Sequence, residues 1–304
     1  MSITEVIVIC GGRSGIPLDN NSLKEYYFTS DRHFPFSVER LRKKELLQLF
    51  KNAIVRLPAS NFADGLTTVN LGVPSFDAAM QQYSQYCKAL LECGLQLNTL
   101  AADPRHPDSA FVEDTAVLTP KAAIFTRPGA TSRAGEVDAI REAVGGFFSN
   151  TLEIEAPGTL DGGDICEADG HFFIGLSHRT NEEGARQLAA HLEGLGYTSS
   201  SIDVRGVASI LHLKSGISYI GNNTMVAIEE MAGNALFRGY ELIQIPQAES
   251  YSANCVRVNE RVLAAAGYPH LIRELEKRGF HPFVLEMSEF QKMDGGLSCL
   301  SLRF

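Results

Sequence analysis

Residues 75–100 read SFDAAMQQYSQYCKALLECGLQLNTL, and the change of period inside this stretch decides the fold class. Phe76, Met80, Tyr83, Cys87 and Leu90 recur every three or four positions, the spacing of one apolar face of a helix. Ser75 is placed to cap its start and Gly94 to stop it. LQLNTL, residues 95–100, then reads as a short strand. The same helix-then-strand pair recurs four times. Val137, Ile140, Val144 and Phe147 precede TLEIEA at 151–156, and Ala185, Leu188, Leu192 and Leu195, closed by Gly196, precede SIDV at 201–204. Met231 to Phe237 precede LIQIP at 242–246, and Leu271, Ile272 and Leu275, closed by Gly279, precede PFVLEM at 282–287. Five such units form a weak internal repeat, and repeats packed about an axis bring their equivalent loops together. An ordinary alternating α/β sheet would give the same periodicity.

The loops between units carry the reactive residue types. FVED ends at Asp114, LDGGD spans 160–164, HLKS spans 212–215, SANC ends at Cys255 and GGLSC ends at Cys299. A chain of 304 residues allows one large or two ordinary domains. With 27 Lys and Arg against 36 Asp and Glu, the net charge of −9 argues against nucleic acid or an anionic membrane as partner and suits a cationic small ligand. The six cysteines are scattered with no CxxC pair, so neither a zinc finger nor a disulfide scaffold, nor a redox or metal-storage role, is indicated. The opening MSITEVIVICGG lacks a signal peptide's basic segment, and no apolar run approaches the ~18 residues of a membrane span. The expectation is a cytoplasmic protein with free thiols. Residues 1–48 stand outside the repeat. VIVICGGRSG looks like a strand entering a glycine loop, but Cys10 stands where a dinucleotide fingerprint needs glycine, and RLRKK at 40–44 reads as a solvated helix face.

Cys299 lies beside Gly295 and Gly296. It is either a packed core thiol or one that must meet a ligand where the backbone can come close. A free thiol is only a few per cent thiolate at neutral pH, so a nucleophile needs an opposite charge and a proton partner. His212, in the strand-like SILHLKSG, is the histidine with an apolar setting and reads either as a satisfied core residue or as that partner. Asp108, Glu113 and Asp114 surround an apolar pair, and Asp161 and Asp164 flank two glycines. Singly, each acid could serve a turn or a salt bridge. Together with one histidine and one cysteine they would hold a planar guanidinium cation.

FVEDTAVLT, TRPGATSR, LDGGDI, HRTNEEGARQ, LHLKSG, SANCVRVNERV, AAGYP and DGGLSCLSLRF occur in this order. The stretch from about residue 52 to 304 resembles the dimethylarginine dimethylaminohydrolases of bacterial type, within the pentein or guanidine-modifying superfamily. The resemblance implies a five-bladed α/β propeller of ββαβ-like units with pseudo-fivefold symmetry. It makes residues 49–304 the catalytic domain and 1–48 an N-terminal extension. It implies hydrolysis of methylated arginine to citrulline, without cofactor or metal, and is compatible with a homodimer. Cys299 corresponds to the family nucleophile, His212 to its general acid and base, and Asp161 to the acid that orients the histidine. Asp114 corresponds to the carboxylate that grips the guanidinium. Arg127 and Arg179 would bind the substrate α-carboxylate, with Asp108 and Glu113 near the rest of the amino acid, Leu66 in a closing loop and Met293 before the nucleophile. Lys214 stands where deiminases carry an acid, which leaves room for alkyl groups on one nitrogen. Cys255 also matches a family motif and is expected to be structural. A deiminase of another guanidino compound and a non-catalytic pentein-fold binding protein are the competing readings.

Overall fold

The computed structural model describes residues 50–304. The glycine loop around Cys10 and the basic run at 40–44 lie outside the described residues.

The described chain builds five three-stranded sheets with one repeated topology. β1 (Asn52–Arg56) and β2 (Gln96–Leu100) run parallel, joined through the helix Phe76–Glu92. β3 (Ala116–Thr119) pairs antiparallel with β4 (Ala122–Phe125), which pairs parallel with β5 (Thr151–Glu153) after the helix Glu136–Gly145. β6 (Ile165–Ala168), β7 (His171–Leu176) and β8 (Thr198–Asp203) repeat the pattern around the helix Glu182–Gly194. So do β9 (Ile217–Tyr219), β10 (Thr224–Ile228) and β11 (Glu241–Ile245), whose crossover is a one-turn helix, Glu229–Ala232, followed by a 3-10 turn, Ala235–Phe237. β12 (Val256–Val258), β13 (Arg261–Ala265) and β14 (His281–Leu285) form the fifth sheet around the helix Pro269–Lys277. The last strand, β15 (Leu302–Arg303), returns to pair antiparallel with β1, so the two ends of the described chain share one sheet.

The sequence explains why each unit holds. The central strands β4, β7, β10 and β13 are apolar and covered on both faces, and a parallel partner reached through a helix is the connection that buries such strands. In the first helix Ser75 accepts a hydrogen bond from the Ala78 amide, and Gly94 follows with φ +91°, a value that favours glycine. Its buried stripe is Ala79, Tyr83, Tyr86, Ala89 and Leu90. Those residues pack with Leu263, Leu285 and Phe290, joining the first and fifth units in one core; each fully buried leucine there is worth about 1.5–3 kcal/mol. The buried Tyr86 hydroxyl is 2.6 Å from Ser301 Oγ, which anchors the segment just after Cys299. No helix among the described residues is long and apolar enough to cross a membrane.

Candidate active site

Asp161 is fully buried just before the 3-10 turn Gly162–Asp164. Its Oδ1 accepts from the Gly129 amide at 2.8 Å, and its Oδ2 lies 2.9 Å from His212 Nε2. The LDGGD segment needs its glycines because other groups crowd them. A Cβ on Gly163 would lie 2.8 Å from both Asp114 Oδ1 and His212 Nδ1, and one on Gly162 would lie 2.0 Å from the Glu113 carbonyl oxygen. The Gly163 amide donates to Asp114 Oδ1 at 2.8 Å, so the turn brings two carboxylates to one imidazole.

His212 does not sit in a strand, as SILHLKSG suggested. It caps a one-turn helix, Leu213–Gly216, and β9 begins only at Ile217. Local polar groups turn the backbone there. Asp164 Oδ1 accepts from the Leu213 amide at 2.9 Å, the Ser215 amide donates to the His212 carbonyl at 3.0 Å, and Ser215 Oγ accepts from the His212 amide at 3.4 Å. Asp164, whose Oδ2 is held by Ser177 and Thr180, thereby fixes the segment that carries the imidazole. Burial opposes a charge on His212, but Asp114, Asp164 and Asp161 overcome it and raise its pKa to about 9. The imidazole is therefore protonated at neutral pH. Burial likewise opposes charge on Asp114, yet His212 and Arg133 hold its carboxyl below the usual range.

The nucleophile candidate arrives on a second glycine pair. A Cβ on Gly295 would lie 2.3 Å from the Phe111 ring, and one on Gly296 would lie 2.5 Å from Asn254 Cγ. The Gly296 amide points at Cys299 Sγ at 3.4 Å. Glu113 donates its amide to the Cys299 carbonyl at 3.1 Å and accepts from Ser298 Oγ at 2.6 Å. Burial first, then Glu113 and Asp114, push the thiol up to about 12, with the Gly296 amide and Lys214 acting in the other direction. Cys255, by contrast, is closed into the core, where burial raises its thiol to about 12.

Of the residues expected from the sequence, Cys299, His212 and Asp114 face one cleft. Leu66, Asp108, Arg179 and Met293 line it too. Asp108 also accepts the Leu66 amide at 3.0 Å, and burial raises its carboxyl. Asp161 stands behind His212, and Glu113 stands behind the Cys299 loop. Arg127 is elsewhere. It is exposed, bridges Leu160 across the backbone and donates to the Gly158 carbonyl at 3.2 Å, so its guanidinium is directed away from the cleft. The arginine of this motif that lines the cleft, alongside Arg179, is Arg133, six residues on in TRPGATSR. It is buried, pairs with Asp114 at 2.5 Å and Glu136 at 2.7 Å, and donates to the Phe111 carbonyl at 3.0 Å. A motif with two arginines was the one sequence signal available for it, and spacing alone could not choose between them.

Donor atoms of Asp114, Asp161 and His212 lie within 4.8 Å of one another. Each is already engaged, by Arg133 and Gly163, by Gly129, or by its neighbour in the group, so the cluster is satisfied as a hydrogen-bonded acid–base unit. A wider groove lined by Arg56, Asp103, Arg105 and Phe147 contains neither a cysteine nor a histidine.

Over 257 residues the chain is 44% identical to the N(G),N(G)-dimethylarginine dimethylaminohydrolase of Pseudomonas aeruginosa, covering 84% of this chain and 100% of that protein. The chain belongs to the dimethylarginine dimethylaminohydrolase family. A second member, from Streptomyces coelicolor, is 34% identical over 258 residues, covering 83% of this chain and 96% of that protein. A solved structure of the Pseudomonas enzyme, a cysteine-to-serine mutant complexed with citrulline, superposes with a TM-score of 0.82 over 84% of this chain and 100% of that one. The N-terminal domain of the cyanobacterial arginine dihydrolase ArgZ, 15% identical, shares the fold with a TM-score of 0.73, covering 84% of this chain and 97% of that one. No family model matches the chain. The α/β fold is thus that of the family and its wider relatives.

Proposed function

We propose that this chain hydrolyses N-omega,N-omega-dimethyl-L-arginine, and N-omega-monomethyl-L-arginine, to L-citrulline and dimethylamine or methylamine. The observation that carries the reading is the convergence of Cys299 and the Asp161-backed His212 on one carboxylate-lined cleft. Its support is a chain 44% identical to a dimethylarginine dimethylaminohydrolase along that protein's whole length.

The chemistry follows from the charges. The substrate guanidinium enters beside Asp114, and its positive charge offsets the carboxylates that hold the Cys299 thiol protonated. The thiol loses its proton to solvent, and the thiolate attacks the guanidinium carbon. His212, already protonated, gives its proton to the departing amine as the carbon–nitrogen bond breaks, which leaves a covalent S-alkylthiouronium on Cys299. The neutral imidazole then takes a proton from water, the resulting hydroxide adds to the same carbon, and collapse expels the thiolate and releases the urea group of citrulline. Asp161 keeps the ring oriented and stabilises its charged form throughout. Arg133 and Arg179 take the α-carboxylate, while Asp108, the Leu66 backbone and Met293 surround the amino end. In the same reading the five sheets are the blades of an α/β propeller about a pseudo-fivefold axis, whose loops meet at the cleft. Residues 49–304 are then the catalytic domain and 1–48 an extension.

Incubation with asymmetric dimethylarginine and mass spectrometry of the products tests the reading. Citrulline and dimethylamine in equal amounts are expected. Ammonia from arginine at a higher kcat/KM would make the chain a deiminase, and no turnover of any guanidino compound would make it a binding protein.

A further inference from the structure

Lys214 has an unusual position for a lysine. Its side chain is only 16% exposed, and its ammonium lies 2.6 Å from Glu113 Oε1. The other oxygen of Glu113 accepts from Ser298 Oγ at 2.6 Å, and Ser298 is the residue before Cys299. Asn254 completes the frame: its Nδ2 donates to the Lys214 carbonyl at 3.0 Å and to Ser298 Oγ at 3.1 Å, and its Oδ1 accepts the Ser298 amide at 3.0 Å. The helical turn after His212 is thereby tied to the loop that carries the thiol. Arg303 is the second cation at Glu113, but at 3.4 Å, and its guanidinium is shared with Ser301 and the Ser298 carbonyl.

We infer that Lys214 is a positioning residue for the hydrolysis: it neutralises Glu113 behind the nucleophile and, through Glu113 and Ser298, sets the place and the ionisation of the Cys299 thiol. The inference rests on Cys299 being the nucleophile. A buried carboxylate left without its cation is costly and repels a developing thiolate. Glu113 and Asp114 are the carboxylates that oppose Cys299 ionisation, and Lys214 is a cation that acts against them. His212, Arg133 and Arg179 share the cleft with the thiol, together with Asp108 and Asp294, and Tyr251 lies near it from the fifth unit. These groups are unchanged by a substitution at Lys214, so a shift in the thiol's titration reports on the Lys214–Glu113 pair.

The test uses Lys214→Met, which keeps the length and loses the charge, and Lys214→Arg, which keeps the charge. The rate of Cys299 alkylation by iodoacetamide, followed by mass spectrometry of the Cys299 peptide, is measured from pH 6 upward on the full chain alongside kcat and KM. In Lys214→Met the alkylation rate at a given pH should fall about tenfold, the loss of thiolate that a rise of one pH unit represents. The loss in kcat/KM should fall mainly on kcat, by about 10-fold or more. Lys214→Arg should restore both to within about threefold. Should Lys214→Met fail to fold, Lys214→Gln, which can still donate to Glu113 but is uncharged, should show the same fall in alkylation rate. An alkylation rate and a kcat that match wild type in the folded neutral variant would overturn the inference, as would a charge-keeping arginine that behaves like methionine. Alkylation needs no methylarginine turnover, so it separates failure of this inference from failure of the proposed reaction.

Discussion

The two walls of the cleft treat protons in opposite senses. On one wall three carboxylates surround His212 and lift its pKa to about 9; on the other, burial and the neighbouring Glu113 and Asp114 lift the Cys299 thiol to about 12. Both values rise, yet the consequences differ. A raised imidazole is charged at neutral pH, whereas a raised thiol is not. The resting site therefore holds a charged imidazole and a neutral thiol. A preformed thiolate–imidazolium pair would need the thiol to titrate below the histidine. In the proposed reaction the missing positive charge comes with the ligand, as its guanidinium. The same carboxylates that silence the free thiol are those that receive the cation.

Cys299→Ser should lower kcat by at least about 10²-fold because an alcohol has neither thiolate character nor comparable nucleophilicity. Asp161→Asn attacks the other wall. It removes a charge that raises the His212 pKa and the acceptor that sets the ring tautomer, so kcat should fall by about 10²-fold or more. In wild type, activity should also decline as pH rises through about 9, when His212 loses the proton it gives the amine; in Asp161→Asn that alkaline limb should move to lower pH. Steady-state rates across pH 6–10 read both effects.

The arginines sharpen the contrast between wall and surface. Arg133→Ala leaves Asp114 and Glu136 buried without their cation and should destabilise the chain by about 3–5 kcal/mol in urea unfolding. Arg127→Ala, at an exposed strand end, should change stability by less than about 0.5 kcal/mol. His212 also couples stability to pH. The folded pKa of His212 lies above its unfolded value of ~6.5, so its contribution is fully present below ~6.5 and is lost as pH rises through about 9. Thermal midpoints measured between pH 6.5 and 9.5 should therefore fall more in wild type than in Asp161→Asn.

Periodicity made the repeat legible because each crossover helix buries one stripe and each parallel strand follows it. The helix expected after Ser75 is found at Phe76–Glu92, and the strand expected at 95–100 is found at Gln96–Leu100. The crossover at 231–237 was less legible. Asn234 caps a new 3-10 turn in its middle by accepting the Leu236 amide, which divides the run in two. His212 shows the same limit at the site itself. An apolar run reads as strand, but buried Asp164, distant in sequence, captures the Leu213 amide and bends the chain into a helical turn. The reactive residues were legible as types, through their glycine neighbours and clustered acids. The choice of Arg133 over Arg127 was not, because it depends on Glu136 and Asp114 closing around one guanidinium.

In the proposed reaction Cys299 becomes a nucleophile only when the cationic substrate is bound and then carries the carbon covalently. A single turnover with enzyme in excess over asymmetric dimethylarginine, quenched in acid at successive times, tests it most directly. Dimethylamine is expected ahead of citrulline, with a transient mass gain confined to the peptide that contains Cys299. Simultaneous appearance of both products with no protein-bound mass, or a mass gain on the Cys255 peptide, would contradict it.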